Sequence, residues 1–236
     1  MSRKDTFNKA RVKSRYILEV RYPPLVQTFD RRGKILEKIF PEFQRKAEHW
    51  KVENVQVIMT DNLEKGKKQL AINHMKCSIS YEDPSSQSEF IDDCNKFIRL
   101  FYEVFPEMQA LKRIGFRAIS IFNHKSAKSY NEVFDSIKKN FLCQKLPSSL
   151  CFTDCSLILS HDTCTARIGP VKEGEDWIKG IFVYPDSNIP GFGIGLDIDS
   201  FTKDLACPNS QELIKAFNAV SDLTFNIESE FLADLV

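Results

Sequence analysis

The sequence predicts an α+β protein. Its N-terminal half follows the split β-α-β order of ferredoxin-like folds, and an antiparallel meander covered by a long C-terminal helix comes after it. Three observations carry this expectation. Segments alternating with period two and segments with apolar residues three and four apart follow one another as β-α-β-β-α-β up to about residue 125. Beyond residue 148, alternating segments succeed one another with no helical pattern between them. Finally, "QELIKAFNAVSDLTFNIESEFLADL" carries the longest apolar face in the chain, through Leu213, Ile214, Phe217, Val220, Leu223, Ile227 and Phe231.

In order, residues 1–13 are polar and basic and are expected to form a flexible arm. "SRYILEVRY" alternates, with Tyr16, Leu18 and Val20 on one face and Arg15, Ile17, Glu19 and Arg21 on the other. Pro23 and Pro24 end that strand. Asp30 is the expected N-cap of a helix through Ile35, Leu36, Ile39 and Phe40, stopped by Pro41. "WKVENVQVIMT" and "KQLAINHMKCSISYE" are one strand each, separated by the turn-forming "DNLEKGKK". A helix through Phe90, Cys94, Phe97, Ile98, Phe101 and Phe105 follows "DPSSQ" and ends at Pro106. "QALKRIGFRAISIFN" completes the expected half over residues 14–125, with Ile114, Phe116, Ala118 and Ser120 facing away from Arg113, Gly115 and Arg117.

Residues 126–236 form the second half, either as a separate domain or continuous with the first. It opens with a helix aligning Val133, Phe134, Ile137 and Phe141, then a joint at Pro147. "LCFTDCSLILSHDT", "CTARIGPVKE", "WIKGIFVYPD" and "GFGIGLDIDSF" are four successive strands, and Asn209 or Ser210 caps the last helix.

At 236 residues and 42% hydrophobic, the chain is long enough to bury a sizeable core. No apolar run approaches the roughly 20 residues that cross a bilayer, so no membrane partner is expected. The basic N-terminus is not followed by a continuous apolar stretch, so export is not expected and a cytoplasmic location is. Its seven cysteines are accordingly reduced thiols. Residues 1–145 carry 28 Lys+Arg against 18 Asp+Glu, a balance of +10, and residues 146–236 carry 5 against 14, a balance of −9. Such a bipolar chain suits self-association, a protein partner or a basic face toward nucleic acid.

Candidate chemistry is sparse. Gly191, Gly193 and Gly195 run into "LDIDSF", which alternates as a strand and lacks both nucleotide-loop patterns. Close packing, with the C-terminal helix crossing the glycine face, explains them better. Asp197 and Asp199 lie about 7 Å apart on that face, spaced to share a hard cation such as Mg²⁺ if a third ligand converges. Cys151, Cys155, His161 and Cys164 are four soft ligands at a spacing foreign to common zinc modules, and the intervening "SLILS" suits a buried strand. Lys112, Arg113, Arg117, Lys125 and Lys128 form a basic set of the kind that meets nucleic-acid phosphates. His124 beside them has no catalytic partner in sequence. No Gly-x-Ser-x-Gly elbow, HExxH or Walker motif occurs, so no catalytic residue and no cofactor are expected.

Four segments in order, "ILEVRYPPL", "RIGFRAISIF", "GLDIDSF" and "LTFNIESEFLADLV", resemble a sporadically distributed family of uncharacterised bacterial proteins of about this length. The resemblance covers residue 14 to the end and implies no catalytic residues. Its patchy occurrence implies an accessory system, of the antiviral defence or toxin–antitoxin kind, and a non-enzymatic, regulatory role through a protein partner or homodimer. The basic N-terminal half and "PGFGIG" also loosely resemble RNA-processing endonucleases of CRISPR systems, which implies the alternative of a nucleic-acid-binding ribonuclease. The acidic C-terminal half opposes that alternative, because acid beside phosphate weakens binding.

Overall fold

A computed structural model describes residues 10–64, 66–142, 156–172, 181–182, 191–206, 209–233 and 235. The described strands are β1 (Arg11–Arg21), β2 (His49–Glu53), β3 (Gln56–Thr60), β4 (Lys68–Ile72), β5 (Lys76–Glu82), β6 (Ala110–Phe122), β7 (Leu157–His161), β8 (Cys164–Lys172) and β9 (Phe192–Ala206). The described helices are α1 (Gln27–Asp30), α2 (Arg32–Phe43), α3 (Gln87–Val104), α4 (Tyr130–Phe141) and α5 (Ser210–Leu232). The class is α+β: one antiparallel sheet of nine strands in the order β2-β3-β4-β5-β1-β6-β9-β8-β7, with helices. No described helix is long and apolar enough to cross a membrane.

Helix starts follow local chemistry. Ser86 and Ser129 accept the N–H of Glu89 and Glu132, and Asn209 Oδ1 accepts the N–H of Glu212, each satisfying an otherwise orphaned donor. Asp30 does not cap α2; it closes the short α1 instead. Pro41 does not stop α2 either, which runs on to Phe43. That position lies in the helix's last turn, where few further backbone bonds are at stake.

The largest departure from expectation is the number of strands between α2 and α3. There are four, not two, because each expected long strand folds back on itself as a hairpin. Asn54 takes a left-handed φ of 51° between β2 and β3. Asn73 Oδ1 accepts the N–H of Met75 at 2.8 Å and of Lys76 at 2.9 Å between β4 and β5. Asparagine tolerates left-handed backbone and caps its own turn, so neither hairpin needs glycine.

The chain divides into two compact units that are not consecutive halves, so residue 125 is no boundary between them. One comprises residues 15–117 with 200–223, the other residues 1–14, 118–199 and 224–236.

In the first unit, alternation buries one sheet face beneath α3. Phe90 sits against Tyr16, Tyr81 and Phe116, with ring centroids 5.7, 5.3 and 5.9 Å away. Asp93 ties α3 down, accepting from Tyr81 Oη at 2.9 Å and Lys46 Nζ at 2.6 Å. Phe217 of α5 packs edge-on to Phe116. Two apolar rows cross this face in register: Val20, Cys77, Ile72, Val57, Val52, and Leu18, Ile79, Leu70, Met59, Trp50.

In the second unit β1 already runs from Arg11, and Lys13 is 2% exposed with its ammonium over the Phe182 ring, so the expected basic arm does not extend to residue 13. Glu228 of α5 is buried. Its Oε2 meets Arg11 Nη2 at 2.5 Å, and its Oε1 accepts from Ser120 Oγ at 2.9 Å. Arg11 also lies over Phe122, 5.3 Å from the ring centroid. Ile119 and Ile121 form a small cluster with Val171 and Phe182 on the opposite face of β6.

Candidate functional site

The polar face of the sheet in the first unit gathers most of its unusual chemistry. Strand alternation turns Arg15, Glu19 and Arg21 of β1 away from the core formed by Tyr16, Leu18 and Val20. In the same way β6 turns Arg113 and Arg117 away from Ile114 and Phe116. The β1–β5 register sets Arg15 across from Glu82, Glu19 across from Ser78 and Arg21 across from Lys76.

Glu19 is the hub. Its Oε1 accepts from Arg21 Nε at 2.7 Å and from Arg113 Nη1 at 3.5 Å, and its Oε2 accepts from Lys76 Nζ at 3.2 Å. Burial pushes the Glu19 carboxyl up, but the hydrogen bonds and charges of Arg21 and Lys76 outweigh it and hold it below the usual carboxylate range. Arg113 lies flat over Gly115, where a Cβ would come within 2.7 Å of its Nη1. Its guanidinium carbon stands 4.9 Å from the Phe201 ring centroid, and Lys203 Nζ stands 5.0 Å from the same centroid. Arg15 donates to Ser80 Oγ at 3.1 Å. Burial draws the Arg15 guanidinium down, Glu82 opposes this, and Arg117 adds to it. Arg15, Arg21, Lys76, Arg113 and Arg117 thus share this face with acidic side chains, Glu19 and Glu82 among them.

The five expected basic residues lie on β6 and on the loop before α4. Arg113 and Arg117 share the polar face, whereas Lys112 alternates to the other side at the exposed start of β6. Lys125 and Lys128 belong to the loop before α4. There Lys125 donates its backbone N–H to Leu235 O at 3.3 Å, and Lys128 donates its own to Glu132 Oε2 at 2.7 Å.

His124 has a partner that sequence did not reveal. Its Nε2 lies 2.9 Å from Ser136 Oγ, and its Nδ1 accepts the backbone N–H of Ser126 at 3.2 Å and of Ala127 at 3.0 Å. Two donors on Nδ1 leave the proton on Nε2, which therefore donates to the serine. A general base would need a free Nε2 lone pair, so this pair stabilises a turn and is not arranged to activate Ser136. Burial, helped by Lys125, lowers the His124 pKa below the usual imidazole value of 6.5. The neutral ring is the one the fold prefers. Its contribution is complete above the unfolded value and is lost as pH falls through the folded one. The protection factors of the Ser126 and Ala127 amides are expected to fall between pH 7.5 and pH 5. Unchanged protection at both pH values would contradict the tautomer.

Asp197 and Asp199 are half-buried and alternate with buried Ile194, Leu196 and Ile198, as the sequence suggests. By the alternation of β9 the glycine–aspartate face is the face of Phe201, which meets Arg113, whereas Phe217 of α5 packs on Phe116. Among the described residues no three His, Cys, Asp or Glu side chains gather as a metal site. Of the expected zinc set, Cys151 and Cys155 lie outside the described residues, while His161 pairs across the strands with buried Cys164. Cys77, Cys94 and Cys164 are free thiols, and Cys143 and Cys207 also lie outside the described residues.

Sequence reasoning named Arg113 and Arg117 but missed Glu19, Lys76 and Phe201. The outward parity of Glu19 was legible; its contact with a residue 94 positions away was not. Set against models of known protein families and against curated proteins, the chain matches none.

Proposed function

We propose that the chain is a non-enzymatic interaction protein that holds an acidic segment of a protein partner on the polar sheet face around Glu19 and Arg113. The observation that carries this reading is the gathering of Arg21, Lys76 and Arg113 on the one carboxylate of Glu19, with Arg113 held further over a glycine and an aromatic ring. Cations held in place lose little side-chain entropy when an anion docks, so more of the contact energy appears as affinity. The family resemblance supports a role in a bacterial accessory system of the defence or toxin–antitoxin kind. We read β5–α3–β6, with β1 between its two strands, as the split β-α-β of a ferredoxin-like half enlarged by the β2–β3 hairpin and β4.

Nucleic acid is the second reading, favoured by the same cations. It is weaker because Phe201, the aromatic ring among them, already engages two cations, Arg113 and Lys203, with which a stacking base would compete. The His124 tautomer also removes one candidate ribonuclease base.

Gly115→Ala tests whether Arg113 carries the binding, and the choice of ligand separates the two readings. The added methyl displaces only the far end of Arg113, so the fold is kept while the guanidinium leaves Glu19 and Phe201. Anisotropy titrations with a labelled oligoglutamate peptide and a labelled single-stranded RNA of equal charge are the measurement. The expected result is tighter peptide binding that Gly115→Ala weakens about tenfold, equivalent to about 1.4 kcal/mol. Tighter RNA binding would favour the second reading, and no binding of either at low salt would remove both.

A further inference from the structure

Strand β2, "HWKVE", closes one edge of the sheet, and the core does not finish there. Every earlier member of the two apolar rows is at most 2% exposed, from Val20 to Val57 and from Leu18 to Met59. Their last members are Val52, 42% exposed, and Trp50, 50% exposed. A tryptophan and a valine left half in water at the end of an otherwise dry layer mark a surface that expects a neighbour.

The backbone makes the same point. A two-residue turn makes Glu53 and Gln56 the hydrogen-bonded closing pair of the β2–β3 hairpin. By alternation, the N–H and C=O groups of Trp50 and Val52 then point outward, away from β3. An edge with free ladder groups and apolar side chains is a template for another strand.

What fits it best is the strand itself. About a two-fold axis through Lys51, antiparallel pairing sets Trp50 opposite Val52 of the second copy, and Val52 opposite its Trp50. These are aromatic–β-branched pairs, and the outward backbone groups of both residues meet. On the other face His49 stands opposite the second copy's Glu53, and Glu53 opposite its His49. The two Lys51 side chains meet at the axis, but each is held by Glu53 of its own chain at 2.9 Å, so charges alternate along the seam. Shifting the axis to Val52 would set Trp50 against Asn54, which is committed to its left-handed turn. We propose that β2 is a self-association strand, pairing antiparallel with β2 of a second copy about Lys51 so that two sheets continue into one.

The test uses the full chain. Sedimentation velocity is expected to give twice the 27.2 kDa chain mass, and Val52→Pro is expected to return the single-chain mass. Proline removes only an outward N–H there, so circular dichroism should be unchanged. Register is read by cysteine substitution. At the axis the two position-51 residues form a non-hydrogen-bonded pair with Cα atoms about 4.5 Å apart, within the span a disulfide bridges. Lys51→Cys should therefore cross-link to a dimer under glutathione disulfide, whereas Val52→Cys and the unsubstituted chain should not. A single-chain mass at every concentration, a folded Val52→Pro that remains dimeric, or cross-linking through Val52→Cys in place of Lys51→Cys would each overturn the proposal.

Discussion

Arg11→Met is expected to cost about 3–5 kcal/mol at neutral pH, because it strands the Glu228 carboxylate in the interior. The pair is well buried, with side chains 12% and 5% exposed. Burial pushes the Glu228 carboxyl up, and Arg11 and Ser120 only partly counter it, so its pKa already lies above the usual value of 4.5. Without the guanidinium it must rise further. A raised folded pKa gives stability that is complete below the unfolded value and lost as pH rises through the folded one. The defect of Arg11→Met should therefore be largest at pH 7.5 and shrink toward pH 5, as the carboxyl takes up a proton. Urea unfolding of both proteins at the two pH values measures this. An equal loss at both would mean that packing over Phe122, and not the stranded charge, sets the cost.

Phe90→Ala should remove a similar amount, about 3–5 kcal/mol, through a different cause. The ring is wholly buried and is surrounded edge-on or tilted by Tyr16, Tyr81 and Phe116. Truncation leaves a cavity whose walls belong to three different strands and cannot close together. The effect is independent of pH, which distinguishes it from the loss at Arg11. Phe29, stacked on His74 and 36% exposed, is the internal control. Its truncation to alanine should cost no more than about 1 kcal/mol, and equal losses at both positions would refute the burial argument.

Much of the fold was legible because local chemistry wrote it. Ser86 and Ser129 mark the starts of α3 and α4, and the alternation of Tyr16, Leu18 and Val20 fixes which way β1 faces. The hairpins were hidden because asparagine, not glycine, makes their turns. A five-residue strand, a short turn and another five-residue strand look like one long strand when the turn lacks a strong breaker. The candidate site was legible by half for a related reason. Periodicity shows the face on which Arg113 and Glu19 lie, but not that β1 lies next to β6. Only strand order joins Glu19, Lys76, Arg113 and Phe201.

The placement of β1 has a consequence for biosynthesis. It is made before every other described strand, yet it lies between β5 and β6 in the middle of the sheet, and its Arg11 waits for a glutamate 217 residues later. At about 5–20 residues per second, that interval on the ribosome is about 10–40 s. Throughout it, β1 of the nascent chain carries Tyr16, Leu18 and Val20 without their final cover. Ribosome-associated chaperones should therefore engage this chain at β1 and release it only after α5 has emerged.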